Sequence, residues 1–172
     1  MNVKPLKELV EKSKEFHAFL EEHKDAYLAH IFAMRKAGHL QTQLGYFDPS
    51  TDLITSFSTE PEVKEIGSDK GMGTSGKIAQ LDVETVRIEL KEALAKADEI
   101  IKEHYSAHTV TQHICILQHL ETQMWNLTLV TASFGMLNIR IDAASGKILS
   151  HELRNLMDLG EMLPGEGGKG KK

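Results

Sequence analysis

The chain has 172 residues, of which 41% are hydrophobic and 26% are charged, a balance that excludes the intrinsically disordered and membrane-embedded classes. Its formal net charge is −5, with lysine and arginine mixed among the acidic residues, so a basic surface for nucleic acid is not predicted. The length suits a single compact domain, which we place over residues 1–160.

The cysteine content and the N-terminal composition bear on where the protein works. Cys115 is the only cysteine, so the chain cannot form an internal disulfide, and this fits a reducing compartment. Residues 1–28 are charged throughout and lack the apolar core of a signal peptide, and no apolar run reaches the length of a membrane span. These features predict a cytoplasmic protein without a membrane segment.

The N-terminal segment has the apolar spacing of an amphipathic helix. Pro5 suits the first turn of a helix and Gly38 suits its end, so we predict a helix over residues 5–37. Spacings of three, four or seven place these apolar residues on one face: Leu6, Leu9, Val10, Phe16, Leu20, Tyr27, Ile31 and Met34. Such a face packs against its own domain or binds a partner protein.

A hairpin is predicted next, over residues 39–59. The segments HLQTQLGYF and LITSFS favour strands, and DPSTD at positions 48–52 favours the turn between them. Residues 60–80 then lose all periodicity and hold four glycines among charged and small polar residues, which predicts a glycine-rich linker.

The sequence GMGTSGK at positions 71–77 raises the question of a nucleotide site, because its spacing matches a phosphate-binding P-loop. A P-loop needs a buried strand before the glycines, a hydroxyl residue after the lysine and a helix that starts there. Here the preceding segment is highly charged, Ile78 follows Lys77, and the next helix is predicted to start near Asp82. The glycines also match a dinucleotide-binding fingerprint, but no parallel βαβ unit surrounds them. We therefore expect a linker and no nucleotide cofactor.

The second half of the chain is predicted to form a helix followed by four strands. The helix begins at Asp82, which suits an N-cap, and stops near Tyr105. The strands are VTQHICILQHL, MWNLTLVTA, MLNIRIDA and ILSHEL, and Gly146 supplies the positive φ angle for the last turn. Residues 161–172 are rich in glycine and lysine, which predicts a disordered tail.

Four of the nine histidines lie near one another in the sequence and raise the question of a metal site. His104 and His108 are four residues apart, which would place them on one helical face, and His113 and His119 lie on the next strand. The helix, however, is predicted to end near His104, where a histidine complements the helix dipole, so His108 falls beyond it. Since no zinc-binding motif is present, we predict no metal.

Catalytic and cofactor-binding residues are not predicted either. Cys115 lies in an apolar strand without a feature that would activate its thiol, and the acidic residues lie mostly on solvated helix faces. Trp125, Phe134 and the methionines could line a ligand groove, but large apolar side chains at strand spacing usually belong to the core. The expectation is therefore a protein that is not an enzyme.

The order of elements over residues 81–153 resembles the PepSY domain of peptidase propeptides and YpeB-like proteins. EALAKADEI in the helix is followed by the strands ICILQH and MWNLTLV, and IDAASGKIL is similar to the final hairpin of that family. The resemblance covers under half of the chain. It implies a cystatin-like α+β fold and a non-catalytic role in binding or restraining a partner protein. Whether the resemblance extends to protease inhibition is left open, because these 172 residues show neither the signal segment nor the attached enzyme that usually accompanies the family.

The two halves of the chain also echo each other. GYFDPSTDLITSF in the first half is similar to NIRIDAASGKILSH in the second, since each has an aspartate-led turn followed by a β-branched residue. This echo indicates either a degenerate duplication, with two helix-hairpin units sharing one sheet, or a chance similarity of hairpins.

The predicted architecture is an α+β domain of cystatin-like or PepSY-like type, in which two long helices, from Pro5 and from Asp82, cover one face of an antiparallel sheet. Residues 81–155 form its PepSY-like unit. The expected function is a non-enzymatic protein-binding or regulatory module whose partner is another protein or a second copy in a homodimer. The alternatives are a small-molecule binder or small enzyme with a site between helix and sheet, and a purely structural dimerisation unit.

Overall fold

The computed structural model describes residues 1–70 and 78–155, which form an α+β fold. The helices are α1 (Val3–Glu11), α2 (Lys14–Glu22) and α3 (Leu90–His104). The strands are β1 (Tyr27–Lys36), β2 (His39–Asp48), β3 (Leu53–Ser58), β4 (Lys64–Lys70), β5 (Val110–His119), β6 (Gln123–Thr131), β7 (Gly135–Asp142) and β8 (Ile148–Asn155). The predicted α+β class with an antiparallel sheet is confirmed.

All eight strands belong to one antiparallel sheet with the order β4-β3-β2-β1-β5-β6-β7-β8. Strands β1 to β4 form one meander and β5 to β8 form a second, and the first strands of the two meanders pair at the centre. In that central pair Ala33 lies opposite Cys115 and Phe32 lies opposite Ile116. The middle of the sheet is therefore a seam between the two halves of the chain.

The predicted N-terminal helix over residues 5–37 is wrong in its second half. The chain forms two nine-residue helices, and Ser13 separates them because its side-chain oxygen accepts a hydrogen bond from the Phe16 backbone N–H, 3.1 Å away. Tyr27–Lys36 is a strand in which buried and half-exposed side chains alternate. Because this strand is central, it carries apolar residues on both faces, and these mimic helical spacing.

The predicted linker over residues 60–80 contains an edge strand. Lys64–Lys70 pairs with β3, and every residue of this strand is exposed. Charged residues are typical of an edge strand, because they discourage pairing with other chains. The glycine- and lysine-containing segment 71–77 and the predicted tail 161–172 lie outside the described residues.

The second helix begins at Leu90, eight residues after the predicted start. Asp82 caps a short 3₁₀ turn over Val83–Thr85, accepting from the Glu84 backbone N–H at 2.9 Å. Between this turn and α3 the chain bends at Ile88, and the backbone N–H groups of Arg87 and Ile88 both donate to the Ala143 carbonyl. The prediction of two long helices is therefore not confirmed, since residues 1–70 and 78–155 form three α-helices of nine, nine and fifteen residues.

The four strands predicted in the second half are confirmed as β5 to β8, and Gly146 has the expected positive φ, 73°. The hairpin predicted over residues 39–59 is confirmed as β2 and β3. The two echoing segments, however, occupy different places: the first spans the second and third strands of its meander, and the second spans the third and fourth. The two halves share an order of helix and four strands, but the echo does not align them.

The core lies between the helices and one face of the sheet. Phe16 of α2 lies with its ring centre 4.5 Å from that of Tyr46 and 5.6 Å from that of Phe57. In the other half the Trp125 indole N–H donates to the Ile88 carbonyl at 2.7 Å. One cluster joins the buried residues of both halves, including Ile31, Leu44, Leu90, Ala93, Ala97, Leu117, Leu127, Leu129, Leu137, Ile139 and Ile141. The two halves of the described chain therefore share one continuous core.

Candidate functional site: the open face of the sheet

The face of the sheet opposite the core carries an apolar group of side chains at the seam between the two halves. Phe32 and Met34 of β1 lie opposite Ile116 and Ile114 of β5, respectively. All four side chains are half-exposed, whereas their neighbours in sequence, such as Ala33 and Cys115, are buried in the core. We call these four residues the central patch.

Polar side chains surround the central patch on the neighbouring strands. Directly opposite Phe32 and Met34 on β2 are Gln43 and Gln41, and directly opposite Ile116 and Ile114 on β6 are Asn126 and Thr128. Gln112 and Gln118 precede and follow the two isoleucines on this face of β5, and Gln112 contacts the Met34 sulfur at 3.1 Å. Side-chain amides and hydroxyls therefore frame an apolar centre, which is the usual arrangement in a protein–protein interface.

His30 is held next to the central patch by a close approach to Gly45. A Cβ atom added at Gly45 would lie 2.3 Å from the His30 Cε1 atom, so the imidazole occupies the space that a side chain on β2 would need. Burial lowers the pKa of His30 below its ordinary value, because a charged ring would lose its hydration there. The side chain therefore favours the neutral form.

The histidines considered as metal ligands are distributed over different parts of the fold. The ring of His104, at the end of α3, stacks on His151 of β8 with 4.9 Å between ring centres, and His151 is also hydrogen-bonded to Tyr105. His108 follows the helix, and its Nδ1 atom is 3.5 Å from the Ser133 hydroxyl. Across residues 1–70 and 78–155, no group of three metal-ligating side chains comes together.

His113 and His119 also lie apart from those histidines. His113 lies opposite Arg35 on β1, and burial followed by the charge of Arg35 lowers its pKa. His119 ends β5, and its Nδ1 atom is 3.3 Å from the Gln80 carbonyl.

Cys115 lies on the core face of β5 and is 1% exposed. Burial raises the pKa of its thiol to about 12, so the thiolate needed for nucleophilic attack is strongly disfavoured.

Trp125 and Phe134, considered as parts of a ligand groove, lie in different parts of the fold. Trp125 is fully buried in the core, whereas Phe134 is 69% exposed in the turn before β7.

The sequence patterns did not identify the central patch, because two of its residues lay in the predicted N-terminal helix. The sequence does contain a pattern that indicates a strand here: in HIFAM, at positions 30–34, the residues His30, Phe32 and Met34 alternate with core residues. Only the pairing of β1 with β5 brings these residues beside Ile114 and Ile116, across about 80 positions of sequence.

Comparisons with known proteins define the fold only. No protein-family model matches the chain, and no curated protein matches it. The structure is similar to the crystal structure of a "putative lipoprotein" from Clostridium difficile 630, with a TM-score of 0.53 and 16% sequence identity. The match covers 80% of this chain and 89% of the other, so the similarity in fold extends over most of both chains.

Among residues 1–70 and 78–155, no helix is both long enough and apolar enough to cross a membrane.

Proposed function

We propose that this protein is a non-enzymatic binding or regulatory module of PepSY-like type. It recognises another protein, or a second copy of itself, through the open face of its sheet, which is the face opposite the core. The observation that carries the proposal is the central patch: four half-exposed apolar side chains surrounded by side-chain amides. Large side chains that stay partly exposed on adjacent central strands provide the contiguous apolar surface that marks interaction sites.

The arrangement of the second half supports the PepSY-like part of the proposal. Residues 90–155 form a helix followed by a four-strand antiparallel meander, which is the order that the resemblance implies. The cystatin-like description has the same support, because the side chains of α3 and the strands of this meander belong to one core cluster.

The close packing between α3 and the sheet argues against a catalytic site there and favours a binding role. Ala93 and Ala97 of α3 and Leu127 and Ile139 of the sheet are at most 1% exposed and belong to one cluster. Close packing of this kind leaves little room for a substrate between helix and sheet. A partner protein is therefore expected on the opposite, half-exposed face.

The test compares the wild type with the double variant Phe32→Thr, Ile116→Thr, which replaces two directly opposed patch residues by a residue that favours strands. Sedimentation at micromolar concentration measures self-association, and affinity capture from the source cell with quantitative mass spectrometry measures partner binding. We expect the double variant to lose at least about tenfold of the association, since apolar residues at the centre of an interface carry most of its free energy.

Leu149→Thr is the matched control, because Leu149 is 40% exposed but lies on β8, away from the patch. Its association should equal that of the wild type. The proposal would be contradicted if the wild type remained monomeric and captured no protein in a patch-dependent manner. Hydrolase activity that copurifies with the protein would also contradict it.

A further inference from the structure

A second candidate binding site lies at the edge of β2, where this strand extends beyond its neighbour β3. Pairing of β2 with β1 continues to His39, whereas pairing with β3 ends at Gln43, opposite Ser58. The uncovered end of β2 borders a groove of about 430 Å³. Its lining includes Leu40, Thr42, Ser58, Glu60, Pro61 and Ile66.

The hydrogen-bonding direction of β2 is fixed by the turn that precedes it. Ala37 and Gly38 have φ angles of 49° and 83° and form a two-residue hairpin loop, so Lys36 and His39 are the first hydrogen-bonded pair. Successive residues of a strand alternate in direction, so the peptide groups of Leu40 point away from β1 and into the groove.

Thr42 provides a check on this direction. It is two residues after Leu40, so its peptide groups should also point away from β1. Its carbonyl accepts a hydrogen bond from the Thr59 backbone N–H at 3.2 Å, on the side of β3. The backbone N–H and C=O of Leu40 therefore face the same side as this bond.

The sequence of β3 explains why its ladder stops before Leu40. In the register that pairs Gln43 with Ser58 and Thr42 with Thr59, the next residue facing Leu40 would be Pro61. Proline has no backbone N–H and cannot donate to the Leu40 carbonyl. Within the described part of the chain, the ladder on this side of β2 ends at Thr42.

We propose that the groove binds an extended peptide segment of another protein, which pairs antiparallel with β2 and exchanges two backbone hydrogen bonds with Leu40. The peptide supplies the N–H that Pro61 lacks and accepts from the Leu40 N–H. Recognition by strand addition has this form: backbone pairing gives affinity, and alternate side chains give specificity.

The lining of the groove sets the side chains that the peptide should carry. Directly opposed residues of an antiparallel pair project to the same face, so the residue opposite Leu40 lies beside its half-exposed side chain. Ile66, which is 49% exposed, also lines the groove and favours an aliphatic residue there. The exposed Glu60 carboxylate favours a basic residue next to it, as does the net charge of −5. The preferred segment is therefore a basic, an aliphatic and a basic residue in sequence, and its central residue is not proline because it must donate a backbone N–H.

This inference deepens the proposed protein-binding role but uses residues outside the central patch. A peptide can bind at Leu40 whether or not the open face has a partner, so the two proposals fail separately.

Amide hydrogen exchange tests the free edge directly. The amides of His39 and Gln41 should be protected by their bonds to β1, whereas the Leu40 amide between them should exchange at least about tenfold faster. A Leu40 amide as protected as that of Gln41 would overturn the proposal, because its N–H would already have a partner.

Peptide binding is measured by NMR titration with acetyl-Ser-Lys-Val-Lys-Ser-amide. We expect this peptide to shift the Leu40 and Thr42 amide signals and to slow exchange of the Leu40 amide. The same peptide with an N-methylated valine cannot donate to the Leu40 carbonyl and should bind roughly tenfold more weakly. The Glu60→Gln variant should weaken binding of the lysine peptide but not of a version with serine in place of both lysines.

Phe32→Thr, Ile116→Thr is the control protein and should bind the peptide like the wild type. Absence of signal changes at millimolar peptide would overturn the proposal, as would equal binding of the N-methylated peptide or shifts confined to the central patch.

Discussion

The Nδ1 atom of His23, just after α2, lies 2.6 Å from a carboxylate oxygen of Asp48 at the end of β2. Asp48 is only 2% exposed, and its other oxygen accepts from the Ser50 backbone N–H at 2.8 Å. The His23 ring also stacks on Phe19 of α2, with 4.5 Å between ring centres. This contact ties the second helix to the β2–β3 turn.

The first prediction concerns the acid stability that this contact provides. The hydrogen bond from His23 lowers the pKa of Asp48 from 3.8 to about 2, with further lowering by Ser50. Because the folded-state pKa lies below the unfolded one, the stabilisation is complete above about pH 4 and is lost as the pH falls towards 2. Asp48→Asn should lower the free energy of unfolding at pH 7 by about 1–3 kcal/mol, as measured by urea denaturation.

The difference in the free energy of unfolding between Asp48→Asn and the wild type should decrease steadily as the pH falls from 4 to 2. Asp25→Asn is the matched control, because Asp25 is exposed, and it should change stability by less than about 0.5 kcal/mol. A difference that stays constant through this acid range would show that Asp48 does not titrate as described.

The second prediction uses the single tryptophan. Trp125 is fully buried and donates to the Ile88 carbonyl, which holds the segment before α3 against strand β6. Trp125→Phe removes this donor and part of the buried ring, so the free energy of unfolding should fall by about 2–4 kcal/mol. Denaturation followed by circular dichroism measures the loss. Phe134→Leu, in an exposed turn, should have little effect, and equal losses in the two variants would contradict a structural role for the indole hydrogen bond.

The third prediction is that the Cys115 thiol is protected in the folded protein. Its burial and raised pKa mean that an aromatic disulfide reagent should react at pH 8 at least about 100-fold more slowly than in denaturant. The control is Leu149→Cys in a Cys115→Ala background, which places a thiol on the exposed part of β8. Native Cys115 reacting as fast as this surface thiol would mean that β5 opens readily.

The second half of the fold could be predicted from sequence because its patterns agree with one another. In β7, Leu137, Ile139 and Ile141 alternate with polar residues, and the following turn contains a glycine with positive φ. Local alternation and local turn chemistry specify these strands without information from elsewhere in the chain.

The first half was harder to predict, since its strands depend on their position in the sheet. Strand β1 is central and has apolar residues on both faces, so its period is ambiguous, whereas β4 is an exposed edge and has hardly any apolar signal. The end of the β2–β3 ladder before Leu40 could be located only in the structure. Pro61 is visible in the sequence, but that it is the residue that would face Leu40 if the ladder continued follows only from the β2–β3 register.

The last prediction concerns the close approach of His30 and Gly45 on the open face. A methyl group at Gly45 would lie 2.3 Å from the His30 ring, so Gly45→Ala must displace the imidazole. We expect the substitution to lower the free energy of unfolding by about 1–3 kcal/mol through overpacking. His30→Ala removes the ring, so adding Gly45→Ala to that variant should cost at least about 1 kcal/mol less than in the wild type. Ser56→Ala, opposite Gly45 on β3, is the control and should show no such coupling with His30→Ala. Chemical denaturation of the four proteins in the cycle gives the coupling energy, and additive effects of the two substitutions would show that the imidazole does not occupy the space above Gly45.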